Sequence, residues 1–307
     1  MASFLQSSAW KAFQESLGRA TYTDNGKSWS YLAIKESGTL NTRLYTPYGP
    51  ECINPKSFDA ALASLQAIAQ QEHLTFIRVE PTHGVTATDL QKRGFRPVTY
   101  QQLQPAHTQV IDLSLDRDDL LAQMSQNSRN ITRNYHKKGV TIRTTRNPED
   151  ISILTSLLSQ VAVRQRITAH SDQYFRTQAA TLFPLSAATL YIADYEGKPI
   201  AAALVYDSDD TRTYAHAAAD DSYRKLSAGT ALLGQMILDA KEAGLQRFDL
   251  YGIADSDDPK HPWAGFTRFK KSFGGQAVTY PGAWDLPLRP VRYWMYRIYQ
   301  SVRRKLR

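Results

Sequence analysis

The most apolar stretch of the chain, Ile200 to Tyr206, has only the length of a buried β-strand. No window approaches the roughly 20 apolar residues that a membrane-spanning helix needs. The N-terminal segment also lacks the basic region and the long apolar run of a signal peptide. The sequence therefore predicts a cytoplasmic protein whose core is built around short strands.

The order of predicted elements indicates two domains with the same plan. A length of 307 residues is that of about two domains. In each half, helices precede an antiparallel sheet, and a further helix and strand follow it. This order is typical of N-acyltransferase (GNAT-like) domains, so we predict an α/β (α+β) fold with two such domains in tandem. The predicted boundaries are residues 1–106 with 287–307, and residues 107–286.

Several chemistries are excluded by what the sequence lacks. The chain has one cysteine, Cys52, which excludes an internal disulfide and any multi-cysteine metal site. It contains no GxxxxGK[ST] loop, no GxGxxG motif, no GxSxG elbow and no HExxH helix. The 7 histidines show no metal-ligand spacing. We therefore expect neither a metal nor a bound cofactor.

A degenerate form of the acetyl-CoA loop precedes a helix that is predicted to begin near Ala228. GNAT enzymes surround the pyrophosphate of acetyl-CoA with backbone amides of a Q/R-x-x-G-x-G/A loop. The nearest match is Arg224 to Gly229, in which Ser227 replaces the first glycine. This departure weakens an acetyl-CoA interpretation, and an ordinary serine N-cap at Ser227 is the alternative.

Most of the net charge of +8 lies at the C-terminus. Between Arg289 and Arg307 the chain has seven basic residues and no acidic one. Apolar residues recur there at helical spacing, namely Val291, Trp294, Met295, Ile298, Tyr299, Val302 and Leu306. Such a helix fits an anionic membrane surface, and the alternative is that it packs this face on the first domain. The predicted membrane contacts are Trp294, Arg297, Arg303 and Arg304.

A second basic segment extends from Ser128 to Arg146. Arg129, Arg133 and Lys137 are spaced four residues apart, so they share one face of a helix predicted from Ser128 to Lys138. A face of this kind is typical of proteins that follow the phosphates of a nucleic acid. The alternative is a solvated surface.

Four motifs together resemble the FemABX peptidyltransferases. They are FLQSSAWKAFQESLG, YTPYGP, RQRITAHSDQYF, and FDLYGI followed by GFTRFKKSFGGQAVTYPGAWDLPL. The resemblance runs nearly end to end, and it implies two GNAT-like domains, the first for the precursor and the second for aminoacyl-tRNA. It implies an enzyme that joins an amino acid from aminoacyl-tRNA to an amine of the peptidoglycan stem peptide. The second half has no insertion long enough for the coiled-coil arm of some members.

The resemblance implies a catalytic lysine at position 270. Lys270 matches the family's catalytic-site lysine, and Phe269 matches the aromatic residue before it. Attack of an amine on an aminoacyl ester creates an oxyanion beside the terminal phosphates of tRNA, and a fixed ammonium stabilises both charges. Lys271 joins Arg129, Arg133 and Lys137 as a predicted tRNA contact. The alternative is that Lys270 and Lys271 are solvated lysines at the end of a helix.

The resemblance also implies a set of precursor-binding positions. Tyr174 matches a tyrosine that contacts the muramyl peptide. The family's member that uses the soluble UDP-linked precursor has cations for its diphosphate where this chain has Gln14 and His170. His216 takes the place of another contacting tyrosine. The loss of both cations favours a lipid-linked precursor over the soluble one.

Three further positions complete the predicted precursor site. Arg164 and Arg166 compensate in part for the missing cations, because guanidinium groups bind phosphate in a fork. Tyr48 replaces a basic residue that is common in the x-G-P turn of the family.

The leading hypothesis is an aminoacyltransferase that uses aminoacyl-tRNA as co-substrate and builds the interpeptide bridge. We expect a monomer in the cytoplasm, peripheral at the inner face of the plasma membrane. A second hypothesis is an acyl-CoA-dependent N-acyltransferase that acts on a cell-envelope polysaccharide or lipid. A third is a non-catalytic protein that binds tRNA or membranes, against which the retained Phe269-Lys270 motif argues.

Overall fold

A computed structural model of the chain describes residues 3–101, 103–165 and 170–305. Its strands are β1 (Thr21–Gly26), β2 (Trp29–Gly38), β3 (Asn41–Thr46), β4 (Glu51–Cys52), β5 (Phe76–Val79), β6 (Arg96–Pro97), β7 (His107–Asp112), β8 (Val140–Thr145), β9 (Ala188–Tyr195), β10 (Lys198–Asp207), β11 (Thr211–Ala219), β12 (Arg247–Gly252), β13 (Gln276–Thr279) and β14 (Trp284–Pro287).

The α-helices are α1 (Ser8–Ser16), α2 (Pro55–Gln71), α3 (Ala87–Lys92), α4 (Arg117–Gln123), α5 (Gln126–Asn134), α6 (Ile151–Gln165), α7 (Asp172–Leu182), α8 (Ala228–Glu242), α9 (Ala264–Lys271) and α10 (Pro290–Lys305). Short 3-10 helices occur at Phe4–Gln6, Tyr135–Lys138, Pro148–Asp150 and Asp221–Leu226. Among the helices described, none combines the length and the apolar character that a bilayer crossing requires.

The chain divides into two units. The first comprises Met1–Ala106 with Thr279–Arg307, and the second comprises His107–Val278. The predicted boundaries assign residues 279–286 to the second domain. In the structure they lie with the first unit, because β14 pairs with both β5 and β6.

The first unit is built on a mixed sheet with the strand order β1-β2-β3-β5-β14-β6, and β4 pairs with β2. Strands β1 to β3 are antiparallel, and β5 joins β3 in parallel after the crossover helix α2. Asn54 accepts a hydrogen bond from the N–H of Ser57 and so fixes the start of α2. Phe58 and Leu65 of this helix are fully buried in the core on the sheet.

The second unit repeats this plan with the strand order β13-β7-β12-β11-β10-β9-β8. Strands β8 to β11 are antiparallel, and β12 joins β11 in parallel after the crossover helix α8. Leu233, Met236 and Ile237 of α8 are fully buried in the core, together with Val205 and Phe248 of the sheet. A parallel pair joined by a helix therefore occurs once in each unit.

Helix α5 packs tightly on α8 at Gly234, where an added Cβ would lie 2.1 Å from Oγ1 of Thr132. The chain leaves the α-helix after Asn134 and continues as a 3-10 helix over Tyr135–Lys138. The single helix predicted from Ser128 to Lys138 is therefore wrong. Because the helix ends first, Lys137 does not share a helix face with the two arginines of α5.

A buried ion pair joins β14 to β5. Arg78 binds the Asp285 carboxylate twice, with Nε to Oδ1 at 2.7 Å and Nη2 to Oδ2 at 2.9 Å, and both side chains are fully buried. The hydroxyls of Tyr100 and Tyr293 donate to Oδ2 at 2.8 and 3.1 Å. Burial lowers the pKa of Arg78, but the Asp285 carboxylate more than reverses this and leaves the pKa above its ordinary value.

Asp285→Asn is expected to destabilise the protein by about 3–5 kcal/mol, because it leaves the Arg78 guanidinium buried without a counter-charge. The matched control is Asp59→Asn, which breaks the more exposed pair with Arg93 and should cost no more than about 1 kcal/mol. The measurement is the free energy of unfolding in urea. Equal losses in the two variants would contradict this account of the buried pair.

Candidate active site

Strand β12 contains a bulge, and the backbone carbonyl of Gly252 at this bulge accepts a hydrogen bond from α9. The register of β12 with β7 shifts between Asp249 and Gly252. Tyr251 has a φ of 64°, in the left-handed region that bulky residues rarely adopt. Its N–H donates to Oδ1 of Asp249 at 2.7 Å, which stabilises this strained conformation. The FDLYGI motif therefore forms a bulged strand rather than a regular one.

The Lys270 side chain contacts this bulge through its terminal amino group. Lys270 is only 2% exposed, and its Nζ donates to the carbonyl oxygen of Gly252 at 2.7 Å. The ring centroids of Phe266 and Tyr214 lie 4.0 and 5.9 Å from Nζ. Burial lowers the pKa of Lys270 to about 7, and the carboxylate of Asp249 opposes this shift only in part. Lys270 is thus a buried group that changes charge near neutral pH, and the alternative of a solvated lysine is wrong for it.

Asp249 is a site residue that the sequence analysis did not single out. Its carboxylate accepts hydrogen bonds from the Thr108 hydroxyl and the Tyr251 N–H. Burial raises the pKa of Asp249, and these hydrogen bonds and the charge of Lys270 counter that rise. The signal was present in the sequence, since an acidic residue stands between the apolar Phe248 and Leu250.

A cavity of about 640 Å³ lies in the first unit, and one of about 360 Å³ lies in the second, against the aromatic rings that neighbour Lys270. The smaller one is lined by Tyr214, Phe266 and Phe269, and it reaches the first residues of α8. Three of the cations that line the larger one are in ion pairs, Arg19 and Arg43 with Glu36 and Lys35 with Glu72. We therefore take the smaller cavity, next to the aromatic rings around Lys270, as the candidate active site.

The N-terminus of α8 is not capped by a serine side chain. Ser227 has a φ of 56°, in the left-handed region, and its hydroxyl makes no capping bond to the helix. The alternative of an ordinary serine N-cap is therefore wrong. Ser227, Gly229 and Arg224 instead line the cavity.

Three of the predicted precursor-binding residues lie together on the second unit. The ring of His170 stacks on that of Tyr174 with centroids 4.2 Å apart, and it lies 6.1 Å from the ring of His216. Phe175 packs edge-on against His216 at 4.9 Å. Burial lowers the pKa of His216 to about 3, with a further contribution from His170, so His216 is neutral at physiological pH.

Strand β11 contributes one residue to the surroundings of Lys270 and another to the aromatic group around His170. A β-bulge lies between these two residues. Tyr214, beside Lys270, pairs with Val205, whereas His216 pairs with Leu204, so that Ala215 is the extra residue. Bulges of this kind redirect side chains next to functional sites. One strand therefore serves both the lysine and the aromatic cluster.

Three of the remaining precursor candidates have structural partners. Arg164 forms an ion pair with Asp221 at 3.4 Å, while Arg166 lies outside the described residues. In the first unit Gln14 is buried and its Oε1 accepts from Nη1 of Arg19 at 2.7 Å. Tyr48 is also buried, and its hydroxyl donates to the carbonyl oxygen of Pro105 at 2.8 Å.

The predicted tRNA contacts lie on the surface of the second unit. Arg129 is half-buried on α5, and Arg133, four residues later, is exposed and 3.8 Å from Asp118. Lys137 is exposed on the 3-10 helix that follows. Lys271 is exposed and pairs with Asp257 at 2.8 Å.

The predicted membrane contacts lie on α10. Trp294 and Arg303 are exposed. Arg297 is half-buried, with its guanidinium 4.6 Å from the ring centroid of Tyr100. The side chain of Arg304 is outside the described part of the structure.

Comparison with known proteins gives matches in sequence and in structure. The sequence model of the FemAB family matches residues 1–198 and 184–301. Aminoacyltransferase FemA of Staphylococcus epidermidis is 29% identical over 82 residues, which are 27% of this chain and 19% of FemA. The alignment thus spans about a fifth of the length of the curated relatives that the chain matches.

Two solved structures show the fold. A crystal structure of FemX has a TM-score of 0.85 at 16% identity, over 96% of this chain and 94% of that one. A tandem GNAT protein from the clavulanic acid biosynthesis pathway has a TM-score of 0.53 at 14% identity, over 87% of this chain and 83% of that one. The predicted α/β fold with two GNAT-like domains is confirmed, and residues 3–101, 103–165 and 170–305 contain no long coiled-coil arm.

The lowered pKa of Lys270 predicts a pH-dependent stability. Unfolded lysine keeps its proton up to its ordinary pKa near 10.5, whereas folded Lys270 loses it near 7. Between these values the unfolded state holds more protons, so the free energy of unfolding rises with pH. Relative to Lys270→Met, the wild type should gain up to about 1.4 kcal/mol per pH unit in this window.

The measurement is urea unfolding of both proteins at a series of pH values from 6 to about 10. Lys271→Met, which removes the exposed neighbouring lysine, is the matched control. If the wild type and Lys270→Met change in parallel across the window, Lys270 is charged throughout and the burial argument fails.

Proposed function

The chain belongs to the FemAB family, and from this membership we propose that it is an aminoacyltransferase that builds peptidoglycan bridges. It moves an amino acid from aminoacyl-tRNA to an amine of the stem peptide of a peptidoglycan precursor. Aminoacyl-tRNA is the co-substrate, and the reaction needs no further cofactor. The observation that carries the proposal is the buried Lys270, whose Nζ donates to the bulged strand and lies next to two rings, Tyr214 and Phe266, that line the cavity.

The proposed reaction is an aminolysis of the aminoacyl ester. The acceptor amine attacks the ester carbonyl carbon, a C–N bond forms, and the C–O bond to the ribose breaks. The proton of the amine passes to the departing ribose oxygen, and the carbonyl oxygen is negative in the tetrahedral intermediate. The Lys270 ammonium stabilises that oxygen, because a fixed donor in a site shielded from water acts strongly on developing charge.

The hydrogen bonding of Lys270 supports this role. An ammonium has three N–H donors, and among the described residues one of them is used, toward Gly252. The others remain for the substrate. Because a phosphate close to a lysine raises its pKa, arrival of the tRNA terminus favours the charged form of a group whose pKa is about 7 in the free protein.

We place the aminoacyl group in the cavity of the second unit. Its walls include Ala201, Ala218 and Phe269, which give the substrate an apolar surface. The uncapped N-terminus of α8 and the guanidinium of Arg224 lie at the same cavity. Both features attract phosphate, which supports binding of the tRNA terminus there.

Two exposed aromatic rings support recognition of a single-stranded RNA end. Trp263 precedes α9 and is 38% exposed, and Phe266 on α9 is 48% exposed. Nucleotide bases stack on such rings without strong sequence preference. Phe266 also lies against Lys270, so a base on this ring is next to the reacting ester.

The surface of α5 supports contact with the tRNA backbone. Arg129 and Arg133 are four residues apart on this helix and therefore share a face. Lys271 is a further cation on the same unit, and it is exposed. Cations spread in this way bind phosphates with an affinity that depends on salt.

We propose that the acceptor is lipid-linked. The positions expected to hold cations for a soluble UDP-linked precursor are occupied by Gln14, which is buried against Arg19, and by His170, which stacks on Tyr174. His216 is neutral and adds no charge. A precursor confined to a membrane has a high local concentration, so its diphosphate needs fewer protein contacts.

One observation favours a second candidate, an acyl-CoA-dependent N-acyltransferase. The uncapped N-terminus of α8 borders the cavity, and this is the place where GNAT enzymes bind the pyrophosphate of acetyl-CoA. Titration calorimetry with acetyl-CoA separates the candidates. Micromolar binding favours the acyl-CoA enzyme, whereas absence of heat favours the aminoacyltransferase.

The function is tested by incubating the protein with charged tRNA and either lipid II or the UDP-linked precursor, then measuring product masses. A mass increase of one amino-acid residue on the stem peptide supports the proposal, and faster transfer to lipid II supports the lipid-linked acceptor. If neither acceptor gains mass with any charged tRNA, the proposed function is wrong.

Lys270→Ala should lower the turnover of aminoacyl transfer roughly 10²–10³-fold, as for the loss of one oxyanion donor. Precursor binding should change little, because the lysine acts on the intermediate. Lys260→Ala, in the exposed loop before α9, is the control and should retain wild-type turnover. Near-normal turnover of Lys270→Ala would remove this lysine from the mechanism.

Arg129→Gln with Arg133→Gln should weaken tRNA binding and reduce the slope of log affinity against log salt by about 2. The control is Arg117→Gln, which removes an exposed arginine that pairs with Glu242 on the same unit. Binding is measured by filter retention at several salt concentrations. An unchanged slope in the double variant would mean that this helix face is only solvated.

A further inference from the structure

Helix α10 carries a continuous strip of exposed apolar side chains. Its members recur at helical spacing, and each is between 46% and 75% exposed: Val291, Trp294, Met295, Ile298 and Val302. With about 100° between successive residues, they lie on one side of the helix. We call them the α10 strip. Scattered exposed apolar residues are ordinary, but a contiguous strip indicates a surface that binds something.

The helix is held on the first unit by its opposite side. Tyr293 and Tyr296 are fully buried, and their rings lie 5.3 and 5.4 Å from that of Phe76. The Tyr293 hydroxyl also donates to Asp285. The alternative in which the apolar face packs on the first domain is therefore wrong, and the α10 strip is left for another contact.

Basic side chains border the strip. Arg292 and Arg303 are exposed on one flank, and the guanidinium of Arg96 lies 5.1 Å from the ring centroid of Trp294. Within the ranges that the structure covers, these three arginines form no ion pair. The whole segment from Arg289 to Arg307 contains no acidic residue.

We propose that the α10 strip docks the protein on an anionic lipid surface. An apolar strip with a tryptophan and flanking arginines matches the interface of such a membrane, where the apolar groups enter the acyl boundary and the arginines meet the headgroups. A second copy of the chain fits less well, because a symmetric contact sets the arginines of one helix against those of the other. The inference goes beyond the proposed function, since docking involves neither substrate.

The test is flotation of the full-length protein with phosphatidylcholine vesicles, with and without phosphatidylglycerol. We expect binding to the anionic vesicles, weak binding to the neutral ones, and release by high salt. Arg292→Gln with Arg303→Gln should reduce the partition coefficient about 25-fold, at about fivefold for each arginine. Lys27→Gln with Lys92→Gln, which removes two exposed lysines of the same unit, should bind as the wild type does.

The apolar contribution is tested separately with Met295→Ser and Ile298→Ser together. Both side chains are more than half exposed, so the fold should be unaffected, and partitioning should fall at least tenfold. Ile53→Ser, which changes a residue that is 69% exposed on the same unit, is the matched control.

Two results would overturn the inference. One is equal binding of the wild type to neutral and anionic vesicles, or to neither. The other is a concentration-dependent dimer in sedimentation equilibrium that Met295→Ser with Ile298→Ser abolishes, which would make the strip a protein contact. Aminoacyl transfer to a soluble acceptor, measured in parallel without vesicles, separates failure of docking from failure of the proposed function.

Discussion

The first unit depends on burying Arg78 and Asp285 together. These residues are 207 positions apart in the chain, and each is fully buried. Because either charge alone in the interior costs several kcal/mol, β5 and β14 must be neighbours whenever the unit is folded. Tyr293 donates to the same carboxylate, so the ion pair also fixes which side of α10 faces the protein. The C-terminal helix therefore takes its orientation from a charge buried in the sheet.

Each of the two units contains a buried cation, and the surroundings shift the pKa values of these two cations in opposite directions. Arg78 receives a two-point contact from a carboxylate, which raises its pKa and keeps it permanently charged. Lys270, among the described residues, donates to a carbonyl oxygen and lies next to aromatic rings, and burial lowers its pKa to about 7 although Asp249 opposes this in part. The first arrangement is that of a structural ion pair. The second leaves donors and charge available to a ligand, which is a common property of active-site groups.

Local patterns in the sequence predicted the element order, because periodicity is a property of neighbouring residues, and the resemblance of a short motif to a family drew attention to Lys270. They could not predict the role of Asp249, which depends on a register shift between β12 and β7. They also placed residues 279–286 in the wrong unit, since β14 pairs with strands about 200 residues earlier. The spacing of the basic residues also gave no sign that the α-helix gives way to a 3-10 helix before Lys137.

The orientation of α10 shows most clearly what hydrophobic periodicity leaves undecided. The pattern identified Val291, Ile298 and their neighbours as the apolar face, and a helix usually buries its most apolar face. Here the buried face is made of tyrosines, whose rings fill the core while Tyr293 also satisfies the buried Asp285 carboxylate. A tyrosine scores as only moderately apolar in a pattern, yet it is the side chain that meets both needs at this position. The aliphatic face of α10 is therefore exposed although it is strongly apolar, because the buried Asp285 carboxylate requires the tyrosine face to pack on the sheet.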